Sequence, residues 1–230
     1  MAQSRIIDHE AFEIKRANSD QESFWDGCQL GFNSHLFAEY RNHFYNYVAG
    51  DWTITETGSG SRIVTDEVGG VLLVTNAAAD DDANRFQLVG EAFKPAAGKR
   101  IWVEGKFKIS DATQSDFLFG IGITDTAPLA TADAIKFQKD DGDTNIDFLI
   151  SNGSVDTLLP AVGTIGTSYI KYGFKITGTD KVEYWIDGIK KGTSTVALPA
   201  TEMRLSMLIQ NGEAVAKTMS VDYIHAVQEL

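Results

Sequence analysis

Cysteine, proline and basic charge are scarce in this chain of 230 residues, and each scarcity excludes something. There is one cysteine, Cys28, so no internal disulfide can form and the fold does not rely on an oxidising compartment. Its neighbours Asp26 and Gly27 bring no positive charge to lower the thiol pKa, which speaks against a reactive nucleophile. Prolines number 4 against 21 glycines, a balance suited to many tight turns between strands. Lysine and arginine total 20 against 32 acidic residues, a net charge of -12. Such a surface repels nucleic acid and anionic lipid. The densest basic stretch, KRIWVEGKFK, is interrupted by acidic and apolar residues, as lysines on the solvent face of a strand are. No run approaches the ~20 apolar residues that cross a bilayer. The charged N-terminus MAQSRIIDHEAFEIKR lacks the apolar core of a signal peptide. The expected partners therefore include neither nucleic acid nor membrane, and synthesis in the cytoplasm is expected.

The usual catalytic patterns are missing as well. The four histidines, His9, His35, His43 and His225, show no zinc-hydrolase spacing with a glutamate. No Gly-x-Ser-x-Gly elbow and no phosphate-binding glycine loop ending in Gly-Lys occurs; GSGSR reads as a flexible turn. The chain is read as non-enzymatic.

What is present is 43% hydrophobic residues, a globular composition large enough for a real core, arranged in two grammars. Residues 1–48 show little alternation. Leu36, Tyr40, Phe44 and Tyr47 fall at spacings of four, four and three, one apolar face of a helix, with Asn33 or Ser34 as its cap. The aromatics from Phe32 to Tyr47 are too many to leave wet. They either pack on this chain's own sheet or form an arm that docks on another protein. From residue 49 onward the pattern is β. RIWVEGKFKIS puts Ile101, Val103, Phe107 and Ile109 on one face and Trp102, Glu104, Lys106 and Lys108 on the other. SYIKYGFKIT buries Ile170, Tyr172, Phe174 and Ile176 and exposes Lys171 and Lys175. VEYWIDGIKKG is a hairpin turning at Asp187-Gly188. About fourteen short strands without a linker or a fixed-period repeat indicate one sandwich or jelly roll. The expected organisation is an arm over residues 1–48, partly helical or extended, and an all-β two-sheet sandwich over residues 49–230.

VEYWIDGIKKG resembles the strand-turn-strand of laminin-G and concanavalin A-like jelly rolls, and MSVDYIHAVQ resembles the last strand of laminarinase-type glycanases. Over roughly Phe44 to Val196, the strings VAGDWTITETGSG, GGVLLVTNAAADDDAN, GKFKISDATQSDFLFGIGITDT and KDDGDTNIDF resemble a family of tailed-phage virion proteins. That resemblance implies a concanavalin A-like jelly roll located on the virion capsid surface. The implied role is a capsid decoration or cement protein bound to the lattice of the major capsid protein, as a homo-oligomer (trimer or dimer). Interfaces favour aromatics and arginine at their hot spots, so the interface candidates are Phe37, Tyr40, Arg41, Phe44, Tyr45, Tyr47 and Trp52.

Two other readings have named residues. Laminarinase-type hydrolysis needs Glu-x-Asp-x-x-Glu on a strand, with two carboxyls about 5–5.5 Å apart for retention. The nearest string is NIDFLI, where Asn145 and Ile150 stand in the glutamate positions and only Asp147 remains. Sugar binding without catalysis is the alternative function, as a lectin-like module binding a surface glycan. Trp102 and Trp185 lie opposite the core sets of their strands and are candidate platforms, unless a second sheet, the N-terminal arm or a neighbouring subunit covers them. Finally, no cofactor is expected, although KDDGDTN offers hard oxygen ligands for calcium in Asp140, Asp141, Asp143 and Asn145. The same residues also populate solvated turns, with Gly142 supplying positive φ. In that case Asp140 to Asp143 turn a hairpin and Ile146, Phe148 and Ile150 face the core.

Overall fold

The computed structural model describes residues 24–28 and 34–230. Short alternating runs bounded by Gly, Asp and Asn turns become strands: β1 Phe37–Asn42, β2 Trp52–Thr57, β3 Gly60–Thr65, β4 Val71–Asn76, β5 Ala83–Leu88, β6 Arg100–Ile109, β7 Ser115–Gly122, β8 Ala134–Lys139, β9 Asn145–Asn152, β10 Val155–Thr164, β11 Ile170–Thr177, β12 Lys181–Ile186, β13 Ile189–Ser194, β14 Arg204–Asn211 and β15 Thr218–Glu229. They pair into two antiparallel sheets. Sheet A has the order β13-β12-β11-β6-β15-β4-β3, with β1 added on β15; sheet B has the order β10-β9-β8-β7-β14-β5-β2. The stretch GSG crosses between the layers, because β2 lies in sheet B and β3 in sheet A.

Alternation supplies each sheet with one apolar face, and the two faces meet. From sheet A come Ile101, Val103, Phe107, Tyr172, Phe174 and Ile176; from sheet B come Phe117, Phe119, Phe137, Ile146, Phe148 and Ile150. Aromatic rings run through the centre. Phe107 lies 4.6 Å from Phe119, Phe137 lies 4.9 Å edge-on from Phe148, and Phe148 stacks on Tyr184 at 4.6 Å. Each such pair adds about 0.5–1.5 kcal/mol beyond the area it buries. The turn at Asp187-Gly188 closes β12 onto β13 with φ of 50° and 77°, the two positive values that a type I′ hairpin requires.

Two expectations need correction. The helical face over Leu36 to Tyr47 is not formed: Phe37–Asn42 is extended and pairs with β15 from Phe37↔Glu229 to Asn42↔Ile224. Pairing with the longest strand satisfies the backbone groups that a helix would have satisfied internally. Beyond β1 the chain bends at Phe44, whose φ is 53° and whose amide donates to Asn42 Oδ1 at 2.7 Å. The left-handed backbone costs roughly 1–2 kcal/mol and drives a fully buried phenyl ring into the core, worth roughly 1.5–3 kcal/mol. Phe32 and Asn33, named for the aromatic run and its cap, lie outside the described residues, as do residues 1–23. The second correction is Lys175. Its side chain leaves the core face as alternation requires, yet it is only 8% exposed, because the outside of sheet A is itself covered.

Candidate functional site

The outward face of sheet B is a polar floor with a narrow centre. Across the strands one row reads Gln87, Ser206, Gly120, Lys136 and Leu149. The next reads Arg85, Leu208, Leu118, Gln138 and Asp147. Gly120 is required there: a Cβ would stand 2.3 Å from the Ile135 carbonyl oxygen and 2.7 Å from Lys136 Cβ. The Lys136 stem crosses that gap, and its Nζ donates to the Pro128 and Leu129 carbonyls, each at 2.7 Å. Burial lowers the Lys136 pKa to about 8. Most polar groups of the floor are tied to one another. Gln87 donates to Ser206 Oγ at 3.2 Å and to the Ile123 carbonyl at 3.0 Å; Arg85 donates to Gln210 Oε1 at 2.9 Å. Gln138 Nε2 donates to Asp140 at 2.8 Å, while its buried Oε1 has no hydrogen-bond partner.

The string NIDFLI forms β9, and its geometry is structural. Ile146, Phe148 and Ile150 point into the core, as expected, so the second glutamate position of the hydrolase pattern is an interior alkyl group. Asn145 is exposed at the strand start. Asp147 lies on the outward floor, and its Oδ1 accepts the Ala161 amide at 2.7 Å, where the β9–β10 pairing shifts register. These positions do not build a carboxylate pair.

The acidic turn before β9 is held by its own backbone. Asp143 Oδ1 accepts the Asn145 amide at 2.7 Å, the Gly142 amide donates to Thr113 O at 2.9 Å, and φ at Gly142 is 90°. The Asp141 amide donates to Asp116 Oδ1 at 2.7 Å. Burial, with Asp141 and Asp140 nearby, raises the Asp116 pKa to about 6. Among the described residues no group of three or more His, Cys, Asp or Glu is arranged to hold a metal ion.

The outward face of sheet A carries the two candidate tryptophans, and both are covered. Trp102 is 0% and Trp185 2% exposed, beneath Phe24 at 6%. Phe24 meets Trp185 edge-on at 5.3 Å and lies over Gly173, where a Cβ would stand 3.1 Å from its ring. Trp25 lies 4.6 Å from the His225 ring, and Cys28 and Phe37 pack against the same cluster. Cations border it: Arg100 stands 5.1 Å over Trp102 and Lys175 5.6 Å over Trp185. Burial opposes the charge of Glu183, but Lys190 and Lys175 outweigh it and hold its pKa down to about 2. Both indole N–H groups, on Trp102 and Trp185, lack hydrogen-bond partners. Neither tryptophan is open to a sugar ring in this arrangement. The cover comes from the N-terminal segment, through Phe24, Trp25 and Cys28.

The interface candidates separate in the same way. Phe44 and Trp52 are core residues. Tyr40 packs against that core, edge-on to Trp52 at 5.9 Å, and Tyr47 also packs against it. Phe37 belongs to the tryptophan cluster. Arg41 is exposed, with Nε donating to His43 at 3.1 Å. Tyr45 is 76% exposed, and its backbone packs on Gly70. Beside it runs a feature that alternation alone did not single out. β3 is the last strand of its sheet path, and it exposes Ile63 (54%) and Val64 (37%), followed by Val68 (104%) in the turn to β4. Two apolar neighbours in RIV, followed by a glycine pair, were the available signal.

No family model and no curated protein matches this chain. Solved structures do match its fold. An endo-1,3-beta-glucanase from Streptomyces sioyaensis aligns with a TM-score of 0.63 at 11% identity, covering 84% of this chain and 97% of its own. A protein of unknown function from Shewanella oneidensis MR-1 aligns with a TM-score of 0.60 at 12% identity, covering 100% and 97%. Peanut lectin aligns with a TM-score of 0.56 at 11% identity, covering 84% and 97%. The chain has the concanavalin A-like jelly-roll sandwich that lectins and glucanases share, and at these identities the likeness is one of fold.

Proposed function

We propose that this chain is a non-enzymatic structural protein of a tailed-phage virion, a decoration or cement protein that binds the assembled capsid lattice across a broad surface. The observation that carries the reading is the apolar edge of sheet A. Sandwich proteins usually protect a terminal strand with charge, proline or a covering loop. Here β3 leaves Ile63 and Val64 in solvent, with Val68 and Tyr45 also exposed on the turns that pack at Gly70. Such an edge suits addition of a partner strand or burial against a neighbouring protein. The resemblance of the strings from VAGDWTITETGSG to KDDGDTNIDF to phage virion proteins supplies the kind of partner, and the acidic exterior keeps particles apart. Purified protein mixed with bare heads should co-sediment with them, and Ile63→Lys with Val68→Asp should leave it in the supernatant. Wild-type protein that stays in the supernatant sinks the proposal.

A second reading, a lectin-like module, is favoured by one specific observation: part-exposed Gln138 and Asp147 stand side by side across β8 and β9 on the outward floor of sheet B, an amide and a carboxylate that can bond sugar hydroxyls. Saturable binding on a glycan array, lost in Gln138→Leu, would support it.

A further inference from the structure

β3 ends its sheet path with a bare backbone edge, and the ladder behind it fixes which groups point out. The Asn76 amide donates to the Lys217 carbonyl at 3.0 Å, so Asn76, Val74 and Leu72 bond toward β15. Residues alternate between neighbours along an antiparallel ladder. Val71, Leu73 and Thr75 therefore bond toward β3, where they face Thr65, Ile63 and Ser61. The N–H and C=O groups of Gly60, Arg62 and Val64 are left pointing away from β4, on a side where the path has no further strand. Two other path ends are guarded against pairing of that kind. β10 carries Pro160 and a register shift between Leu159 and Gly163; β13 carries Lys190 and Lys191, and its pairing shifts at Tyr184 and Trp185. β3 has no proline and an unbroken register. Its one charge, Arg62, is turned toward sheet B, onto Glu56 and Asn84. In a chain of net charge -12, no acid occurs from Thr57 to Thr65.

The string SRIVT is also close to a palindrome about Ile63. Laid antiparallel on a second copy about a two-fold axis at Ile63, Arg62 and Val64 of one copy exchange N–H···O=C bonds with Val64 and Arg62 of the other. The hydroxyl residues Ser61 and Thr65 meet in each half, and Ile63 meets Ile63 in the close, non-hydrogen-bonded position. Leu73 lies opposite Ile63 on β4, so an apolar row crosses the junction. An axis at Arg62 would oppose two guanidiniums. An axis at Val64 would carry Arg62 past the strand end at Thr65.

We propose that β3 pairs with β3 of a second copy, antiparallel and centred on Ile63, joining two copies of sheet A into one continuous sheet. A two-fold interface needs a patch that complements itself, and SRIVT is such a patch. Self-pairing rests on the open apolar edge of the proposed function but not on the capsid as partner. Val68 and Tyr45 lie outside the paired strands, so the dimer offers each of them twice to a lattice.

The test uses the full chain. In sedimentation equilibrium the wild-type mass should rise with concentration to that of a dimer. Val64→Pro deletes an N–H that β4 does not use, a position at which an edge strand tolerates proline. It should stay folded by circular dichroism and weaken self-association by about tenfold or more. Ile63→Lys and Ile63→Glu should each be monomeric, because like charges then meet at the axis, and an equal mixture of the two should regain the dimer. That exchange of charge tests the register whether or not Val64→Pro folds. A wild-type mass that stays monomeric at all concentrations overturns the proposal. So does a folded Val64→Pro that dimerises like wild type, a charged variant that stays dimeric alone, or a mixture that stays monomeric. A dimer that ignores bare heads sinks the virion reading alone; a monomer that co-sediments with them sinks self-pairing alone.

Discussion

The two outward faces of this sandwich differ more than the sequences of their strands suggest. Both alternate with a shared core, and both place lysines, glutamines or acids outward. On sheet B most of the outward set is satisfied locally: Lys136 is capped by the carbonyls of Pro128 and Leu129, and Gln87, Ser206, Arg85 and Gln210 bond to one another or to adjoining backbone. On sheet A the outward set includes two tryptophans, which no neighbouring strand can hide, and a distant segment supplies Phe24 and Trp25 to cover them. The lesson is that a face is made polar or made an interface by a few large side chains, because a tryptophan removes far more apolar surface from water than a lysine stem.

The sharpest break of this comparison is Trp102→Ala. If the covered face is a second core, the substitution costs about 3–5 kcal/mol in urea unfolding, as truncation of a buried aromatic does; an exposed platform would lose under about 1 kcal/mol. On the other face, Gly120→Val forces a side chain into the Ile135 backbone and should destabilise by about 3 kcal/mol.

Next in size is Asp116→Asn. The folded pKa of about 6 lies above the ordinary aspartate value of 3.8. Between those values the native state therefore binds more protons than the unfolded chain, and stability from this group is lost as pH rises from about 4 to 6. At pH 7 the amide, which keeps an acceptor for Asp141 N, should be more stable than wild type by on the order of 2 kcal/mol, with a flatter melting-temperature profile from pH 4 to 7.

Burial also lowers the pKa of His225, against the pull of Glu39. The neutral ring is favoured in the fold, so a small stability contribution should be lost as pH falls below about 6.5. His225→Gln should remove that slope. The smallest effect is expected for Lys106→Ala. Its 2.6 Å pair with Asp222 is part-exposed, and such pairs are worth about 0.2–1 kcal/mol.

Much of the fold was legible. β6, β9 and β11 were readable because Ile101 to Ile109, Ile146 to Ile150 and Tyr172 to Ile176 alternate without interruption. The helix reading failed at Tyr40 and Phe44 for a definable reason. Four residues also separate two inward positions when a strand ends and a left-handed turn swings the next ring back, and spacing cannot tell that from a helical turn. β15 hides a second trap. Its pairing with β6 shifts between Val221 and Tyr223, so Met219 and Val221 face inward, then Ile224 and Ala226. A single extra residue reverses the parity. It also lets the Tyr223 hydroxyl donate to Glu104 at 2.6 Å. The candidate sites were less legible than the fold, since exposure of Trp185 or Tyr45 depends on what arrives from elsewhere in the chain.

The sequence by itself determined an all-β sandwich, the inward residues of most strands, the Asp187-Gly188 hairpin and the absence of a carboxylate pair at Asn145 and Ile150. These are properties of neighbouring residues and of the period of a strand. Only the tertiary structure decided that Phe37–Asn42 joins sheet A, that Phe24 closes over Trp102 and Trp185, and that Ile63, Val64 and Val68 remain open. Alternation states which way a side chain leaves its strand; what it meets there is fixed by contacts between residues far apart in the chain, whose free energy no local pattern contains.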